Sequence, residues 1–365
     1  MHRLGISVYP EHSTAEKDLA YMKLAAKYGF SRIFTCFLSA KEEKKDLVHT
    51  FSQFVKQAHD LGFVVAGDVN GDVFQRLELS PSDIGIFHEI GLDILRLDSP
   101  FSEADYIRMT NNPYGIQIEF NASALQALDL ILDKGGNRSQ MTLCHNFYPQ
   151  EYTGLSWDRF MEFNRFYSHL GLPLAAFVSS NEKNTFGPWP VSAGLPTVEI
   201  HRGLPIDFQA RHLLACREID DIIIGNAFAS EEELASLGSL DLAQPGMKVS
   251  CEEGLSSVEE EIAFHRVHWD RQDASDFILR SSAPRVEFGN TSIPVRPVED
   301  AEFQVGDVLI VNDNLAHYRG ELEIVKKPIR NTGELNRIGH ISDREQLILG
   351  LLRPQNLFRL EKEGK

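Results

Sequence analysis

Ile116-Gln117-Ile118-Glu119-Phe120-Asn121 is the stretch that decides the fold. Apolar Ile116, Ile118 and Phe120 alternate with polar Gln117, Glu119 and Asn121, and successive side chains of a β-strand point to opposite faces. One face of this strand is therefore greasy, while the other carries an amide, a carboxylate and an amide. The pattern recurs upstream: Ala66, Asp68 and Asn70 alternate with Val65 and Val69, and Arg96 and Asp98 with Leu95 and Leu97. Helical stretches alternate with these strands along the chain. Apolar backs against helices and polar tips on the opposite face describe a TIM-like (β/α)8 barrel whose lumen turns chemical near its top.

Working outward, the spacing of apolar and breaker residues predicts strands over 3–9, 32–38, 64–70, 94–98, 116–121, 140–146, 173–179 and 221–226. Between them it predicts helices over 14–28, 43–61, 122–133, 156–169, 206–218 and 230–237, with a short one opened by Ser80-Pro81-Ser82-Asp83. The Lys41–Lys45 run, mixed with glutamates, reads as a solvated helix face. Eight strands with helices between them in about 240 residues is the usual size of such a barrel. Beyond Gln244-Pro245-Gly246 the pattern changes to short strands, expected over 262–267, 276–280, 285–288, 307–311 and 320–325. The expectation is α/β: a barrel domain over residues 1–243 and a smaller, mainly β domain over 246–365.

Composition narrows the function classes. The 365 residues are 42% hydrophobic, enough for two cored domains. A formal charge of −17, from 36 Lys plus Arg against 53 Asp plus Glu, argues against a nucleic-acid or anionic-membrane partner. Four cysteines without paired spacing suit a reducing compartment. No apolar run approaches the ~20 residues of a membrane span, and Met1-His2-Arg3-Leu4-Gly5 leads straight into a strand, so a cytoplasmic protein is expected.

Barrel enzymes carry their chemistry at the C-terminal strand ends. Those ends supply Tyr9, Asp68, Asn70, Arg96, Asp98, Glu119, Asn121, His145, Asn146 and Asn226. Asp68, Asp98 and Glu119 come from consecutive strands on the lumenal face, and neighbouring strands lie ~4.8 Å apart. Two carboxylates held that close raise one pKa, leaving a protonated acid beside an ionised partner, which is what glycosidic cleavage requires. The plainer reading is that Arg96 neutralises Asp98 within a buried polar network. A second cluster, Glu199-Ile200-His201-Arg202-Gly203, follows a breaker-rich loop over 181–196 that contains Gly187-Pro188-Trp189-Pro190. Two prolines around Trp189 would hold an aromatic plate over the mouth for a sugar ring, or plug the surface. Arg202, with His201, would grip a phosphate or carboxylate, or pair with Glu199. An alternative places a divalent ion on Asp98, Glu119, His145 and Glu199, as in a metal-dependent sugar-phosphate isomerase or aldolase. A non-catalytic sugar-phosphate-binding protein is the other rival. The expectation is an enzyme without metal or cofactor.

The segments Leu4-Gly5-Ile6-Ser7-Val8-Tyr9-Pro10, Gly67-Asp68-Val69-Asn70, Leu95-Arg96-Leu97-Asp98, Gln117–Asn121, His145-Asn146-Phe147-Tyr148-Pro149 and Glu199–Gly203 together resemble one family, the MupG-type 6-phospho-N-acetylmuramidases. The resemblance extends over essentially the whole chain. It implies a TIM-like barrel followed by a cyclophilin-like β domain. It also implies hydrolysis of the β-1,4 bond between N-acetylmuramic acid 6-phosphate and N-acetylglucosamine during peptidoglycan recycling. Strand geometry makes Glu119 the leading acid/base, with Asp98 or Asp68 as partner. Asn70, Asn121 and Asn146 would bind hydroxyl or N-acetyl groups of this phosphorylated amino-sugar disaccharide.

Overall fold

The computed structural model describes residues 2–37 and 44–364. Residue 38 of the expected second strand and the side chains of the Lys41–Lys45 run lie outside them. The chain divides into two compact units: residues 1–213 with 217–239, and residues 240–365 with 214–216.

In the first unit β1 (Arg3–Ser7), β2 (Arg32–Cys36), β3 (Val64–Val69), β4 (Ile94–Leu97), β5 (Gln117–Asn121), β6 (Met141–Cys144), β7 (Leu174–Val178) and β8 (Asp221–Ile224) form a closed barrel. All neighbours are parallel, and β8 closes onto β1. The outward faces explain the helices. Ile118 and Phe120 on β5, and Val65 and Val69 on β3, are buried beneath the surrounding elements. Helices Ala15–Lys27, Glu103–Thr110 and Trp157–Ser168 start where Thr14, Ser102 and Ser156 accept a backbone N–H from the third residue on. One expectation changes here. The helix predicted over 122–133 covers only Leu128–Asp133. Residues 122–127 instead form a turn pinned by Asn121, whose Oδ1 accepts Ser123 N–H at 2.8 Å.

The second unit adds β9 (Gly246–Cys251), β10 (His268–Trp269), β11 (Ile278–Ser281), β12 (Glu302–Phe303), β13 (Asp307–Val311), β14 (Leu322–Val325), β15 (Ile329–Arg330), β16 (Leu335–His340) and β17 (Leu357–Lys362). Seven of them form a sheet in the order β10-β17-β9-β16-β13-β14-β11, and β12 pairs with β15. Phe303, Leu309 and Val325 centre one core cluster. Gly306 (φ 94°) makes the turn into β13, where a side chain would also strike the Ile341 carbonyl. Two expected strands are helices: Ser257–Phe264 and Ala283–Phe288. The first is fixed by a capping box between Ser256 and Glu259, the second begins with Pro284 in its first turn. His268 is buried on β10 against Ser281 and the Ala263 carbonyl.

Candidate active site

Alternation says which side chains enter the lumen; the register says at what height. Asp68 pairs laterally with Arg96, and Arg96 with Glu119. With the usual shear of ~8, each step from strand to strand descends about one residue toward the barrel floor. Glu119 therefore belongs to a lower layer than Asp68, level with Gly5, Ala66 and Ala175, whose small side chains leave it room. Just beneath lie Arg32 and Asp221. Glu119 accepts a short hydrogen bond from Arg32, which also donates to Asp221 at 2.5 Å. Arg3 completes the chain at 2.6 Å from Asp221. Arg32 and Glu119 are wholly buried. Burial alone would weaken the Arg32 charge, but Glu119 and Asp221 more than restore it. In this ion network Glu119 is wholly buried and holds a guanidinium through one oxygen, while its Oε1 has no hydrogen-bond partner; the acid/base expectation meets a carboxylate one layer deeper than Asp68 and without solvent access. Arg32 carries no such sequence signal, because Phe34 and Cys36 on its face of β2 are apolar, unlike the polar face of β5.

The mouth lies above. Nη1 of Arg96 donates to Asp68 at 2.6 Å and to Asp98 at 3.3 Å, and its Nη2 bonds the Asn146 amide oxygen. Arg96 and Asp68 are 3% exposed, whereas the Asp98 side chain is 39% exposed. Burial, with a smaller push from Asp98, lifts the Asp68 carboxyl to about 7 despite Arg96. One carboxyl is thus shielded and poised to hold a proton, while its neighbour faces solvent. Phe34, Phe177 and Ile223 make the rest of the lumen apolar, and Cys36, 4.0 Å from Asp68, borders the polar arc. Phe147 packs on Phe34 and Phe177, and Trp189, 39% exposed, lies 6.1 Å from Phe147. The mouth is therefore half aromatic and half charged.

The other expected site residues hold the frame. Asn70 caps the helix Gly71–Arg76 through Val73 N–H. Tyr9 is buried and donates to the Gly225 carbonyl at 2.6 Å. Asn226 ties Ser179, Ser180 and Thr185 together. His145 follows Cys144 by one residue, so it faces away from the lumen. It lies against Phe160 and bonds Asn164 at 2.8 Å and Ser123 Oγ at 3.1 Å. Burial drops its pKa to about 4, so the ring is neutral. Ser123 Oγ in turn accepts Asn146 N–H at 2.9 Å, so His145 acts on the mouth only by positioning Asn146.

Arg202 is engaged in full. It makes a bidentate pair with Glu199, both contacts at 2.7 Å, and donates to the carbonyls of Ala193, Tyr148 and Gln150. Arg202 holds the Glu199 carboxyl at about 2, and Tyr152 and Gly154 N–H groups help. The cluster is a clasp joining the loops after β6 and β7. His201 is buried on His212 at 2.9 Å. A phosphate reaching either residue would have to break these bonds first. The four-ligand metal alternative is not assembled: His145 faces away from the lumen, Glu199 is taken by Arg202 and the Tyr152 and Gly154 N–H groups, and among the described residues no group of three or more His, Cys, Asp or Glu is arranged to hold a metal ion.

A closed parallel barrel with an arginine-bridged carboxylate pair at its C-terminal rim has the layout of a barrel enzyme acting on a polar small molecule. The chain belongs to the 6-phospho-N-acetylmuramidase family: the family's N-terminal model matches residues 4–239 and its C-terminal model residues 245–361. The family name describes a glycosidase. Among solved structures, an uncharacterized Bacillus cereus protein is 40% identical over 99% of both chains, with a TM-score of 0.90. A conserved Enterococcus faecalis protein of unknown function is 26% identical over 99% of this chain and 97% of its own, with a TM-score of 0.69. No curated protein matches the chain. No helix among the described residues is long and apolar enough to cross a membrane.

Proposed function

We propose that this protein hydrolyses the β-1,4 bond of N-acetylmuramic acid 6-phosphate linked to N-acetylglucosamine, in the cytoplasm during peptidoglycan recycling, and that its second unit is cyclophilin-like. The observation that carries the reading is the asymmetric pair on Arg96: buried Asp68, raised to about 7, and exposed Asp98. Asp68 is the general acid that protonates the glycosidic oxygen, and the solvent-facing Asp98 is its partner on the side of the anomeric carbon. Arg96 keeps both carboxyls oriented, and the Asn146 amide is held beside them. Because both acids bond one nitrogen, their nearest oxygens are close together. That fits a retaining pair (~5–5.5 Å) better than the ~6.5–9.5 Å gap that admits an attacking water. Trp189 and Phe147 present the aromatic face on which a sugar ring stacks.

Incubating the purified protein with the phosphorylated disaccharide and weighing the products by mass spectrometry tests this. Two monosaccharides, formed equally well in the presence of a chelator, support it. An isomer of unchanged mass, or activity lost to the chelator, supports the metal-dependent isomerase. Thermal stabilisation by the disaccharide without product supports a sugar-phosphate-binding protein.

A further inference from the structure

The loops that follow β4 and β5 enclose a cavity of about 350 Å³ beside the carboxylate pair. Asp98 lines it and also bonds Arg96 at the mouth, so the two spaces adjoin at this carboxylate. Its walls are Phe101, Tyr106, Leu125, Leu130 and Ile131. They are braced from behind. Phe101 N–H donates to the Tyr106 hydroxyl at 2.9 Å, Gln126 N–H donates to Tyr167 at 3.0 Å, and Gln126 Nε2 reaches the Asn121 carbonyl at 3.1 Å. The volume falls within the ~300–1,000 Å³ of small-molecule sites, and an apolar wall with a few fixed polar groups is their usual chemistry. Both charged residues lining the cavity, Asp98 and Glu103, are carboxylates. Their cationic partners, Arg96 and Lys134, do not line it.

We propose that this cavity is the leaving-group subsite: it takes the uncharged amino sugar beyond the scissile bond and rejects a leaving group carrying negative charge. The inference rests on the hydrolase reading above. An acetamido hexose offers the matching surface, with C–H faces and a methyl group for the tyrosine, phenylalanine and leucine walls and hydroxyls for Asn121 and Asp98. The phosphorylated ring cannot lie here, because its dianion would meet two carboxylates. It occupies the lumenal side of Asp98, and the scissile oxygen lies between the two spaces.

The test compares wild type with Leu125→Trp, which fills the cavity from a side chain that is 58% exposed and so disturbs no core. Two substrates are used, the phosphorylated disaccharide and the methyl glycoside of the same phosphorylated ring. Methyl NMR of Leu125, Leu130 and Ile131 during titration with N-acetylglucosamine supplies a readout independent of turnover. The expected result is saturable shifts in wild type, lost in the variant, and at least a tenfold rise in the ratio of KM for the disaccharide to KM for the methyl glycoside. An unchanged ratio with no methyl shifts overturns the subsite while leaving the hydrolase standing. Methyl shifts without hydrolysis of either substrate by wild type keep the sugar site and overturn the hydrolase.

Discussion

Two arginines in this barrel each bridge two carboxylates, and they do opposite things. Arg32 joins Glu119 to Asp221 in a layer with no exposed surface, whereas Arg96 joins Asp68 to Asp98 where the lumen opens. The residue chemistry is the same. Height along the barrel axis separates them, and with it solvent and substrate access. A charged cluster in a barrel lumen is thus evidence of a site only once its layer is known. The sealed cluster fixes the floor on which the open one stands.

The sharpest way to break the comparison is to remove the lower arginine. Arg32→Ala leaves Glu119 and Asp221 buried without their shared cation, and should cost ~3–5 kcal/mol, read by chemical denaturation. A loss below ~1 kcal/mol would mean that the floor is hydrated and not sealed. At the rim, Asp98→Asn should lower kcat by ~10²–10⁴-fold, the range for a positioned catalytic group, while the melting temperature stays close to wild type. A large fall in melting temperature would give Asp98 a stabilising role in place of a catalytic one.

The Asp68 carboxyl gives a smaller, directional effect. Its folded pKa lies above the ordinary carboxyl value, raised to about 7 by burial. Below both values the folded and unfolded chains are equally protonated. Between them only the folded chain keeps the proton, so stability falls as pH rises from about 4 to about 7 and then levels off. The rate should fall about tenfold per unit above pH ~7 as the acid is lost. Asp68→Asn should flatten the stability slope, and a slope unchanged in that variant would assign it to another group. The mildest effect belongs to the clasp. Arg202→Ala should cost ~1–2 kcal/mol of stability through lost hydrogen bonds, with the preference for phosphorylated over unphosphorylated disaccharide retained. Loss of that preference would show that Arg202 leaves Glu199 to hold the phosphate.

Much of the barrel was legible because a parallel strand beneath helices writes its faces in period two. Ile118 and Phe120 turned outward and Glu119 inward, as Asp68 and Arg96 did on their strands. Height was not legible, since a single strand carries no register, and Glu119 looked equivalent to Asp68 until lateral pairing separated them. His145 was misplaced for a simpler reason: it is one residue out of phase with Asn146, and parity alone sends it behind the barrel wall. The Ser256-to-Glu259 capping box is present in the sequence and marks a helix where apolar spacing alone predicts a strand over 262–267. The cavity after β5 had no such signal, because residues 122–127 carry an alanine-rich helical composition while Asn121 holds them in a turn.

Turnover of the phosphorylated disaccharide by Asp68→Asn and Glu119→Gln, each assayed alongside its denaturation curve, tests the central claim most directly. The account predicts that Asp68→Asn stays folded and loses at least a hundredfold in kcat, while Glu119→Gln loses stability first and keeps its rate wherever it remains folded. A folded Asp68→Asn with near-wild-type kcat, or a stable Glu119→Gln that is inactive, would contradict it.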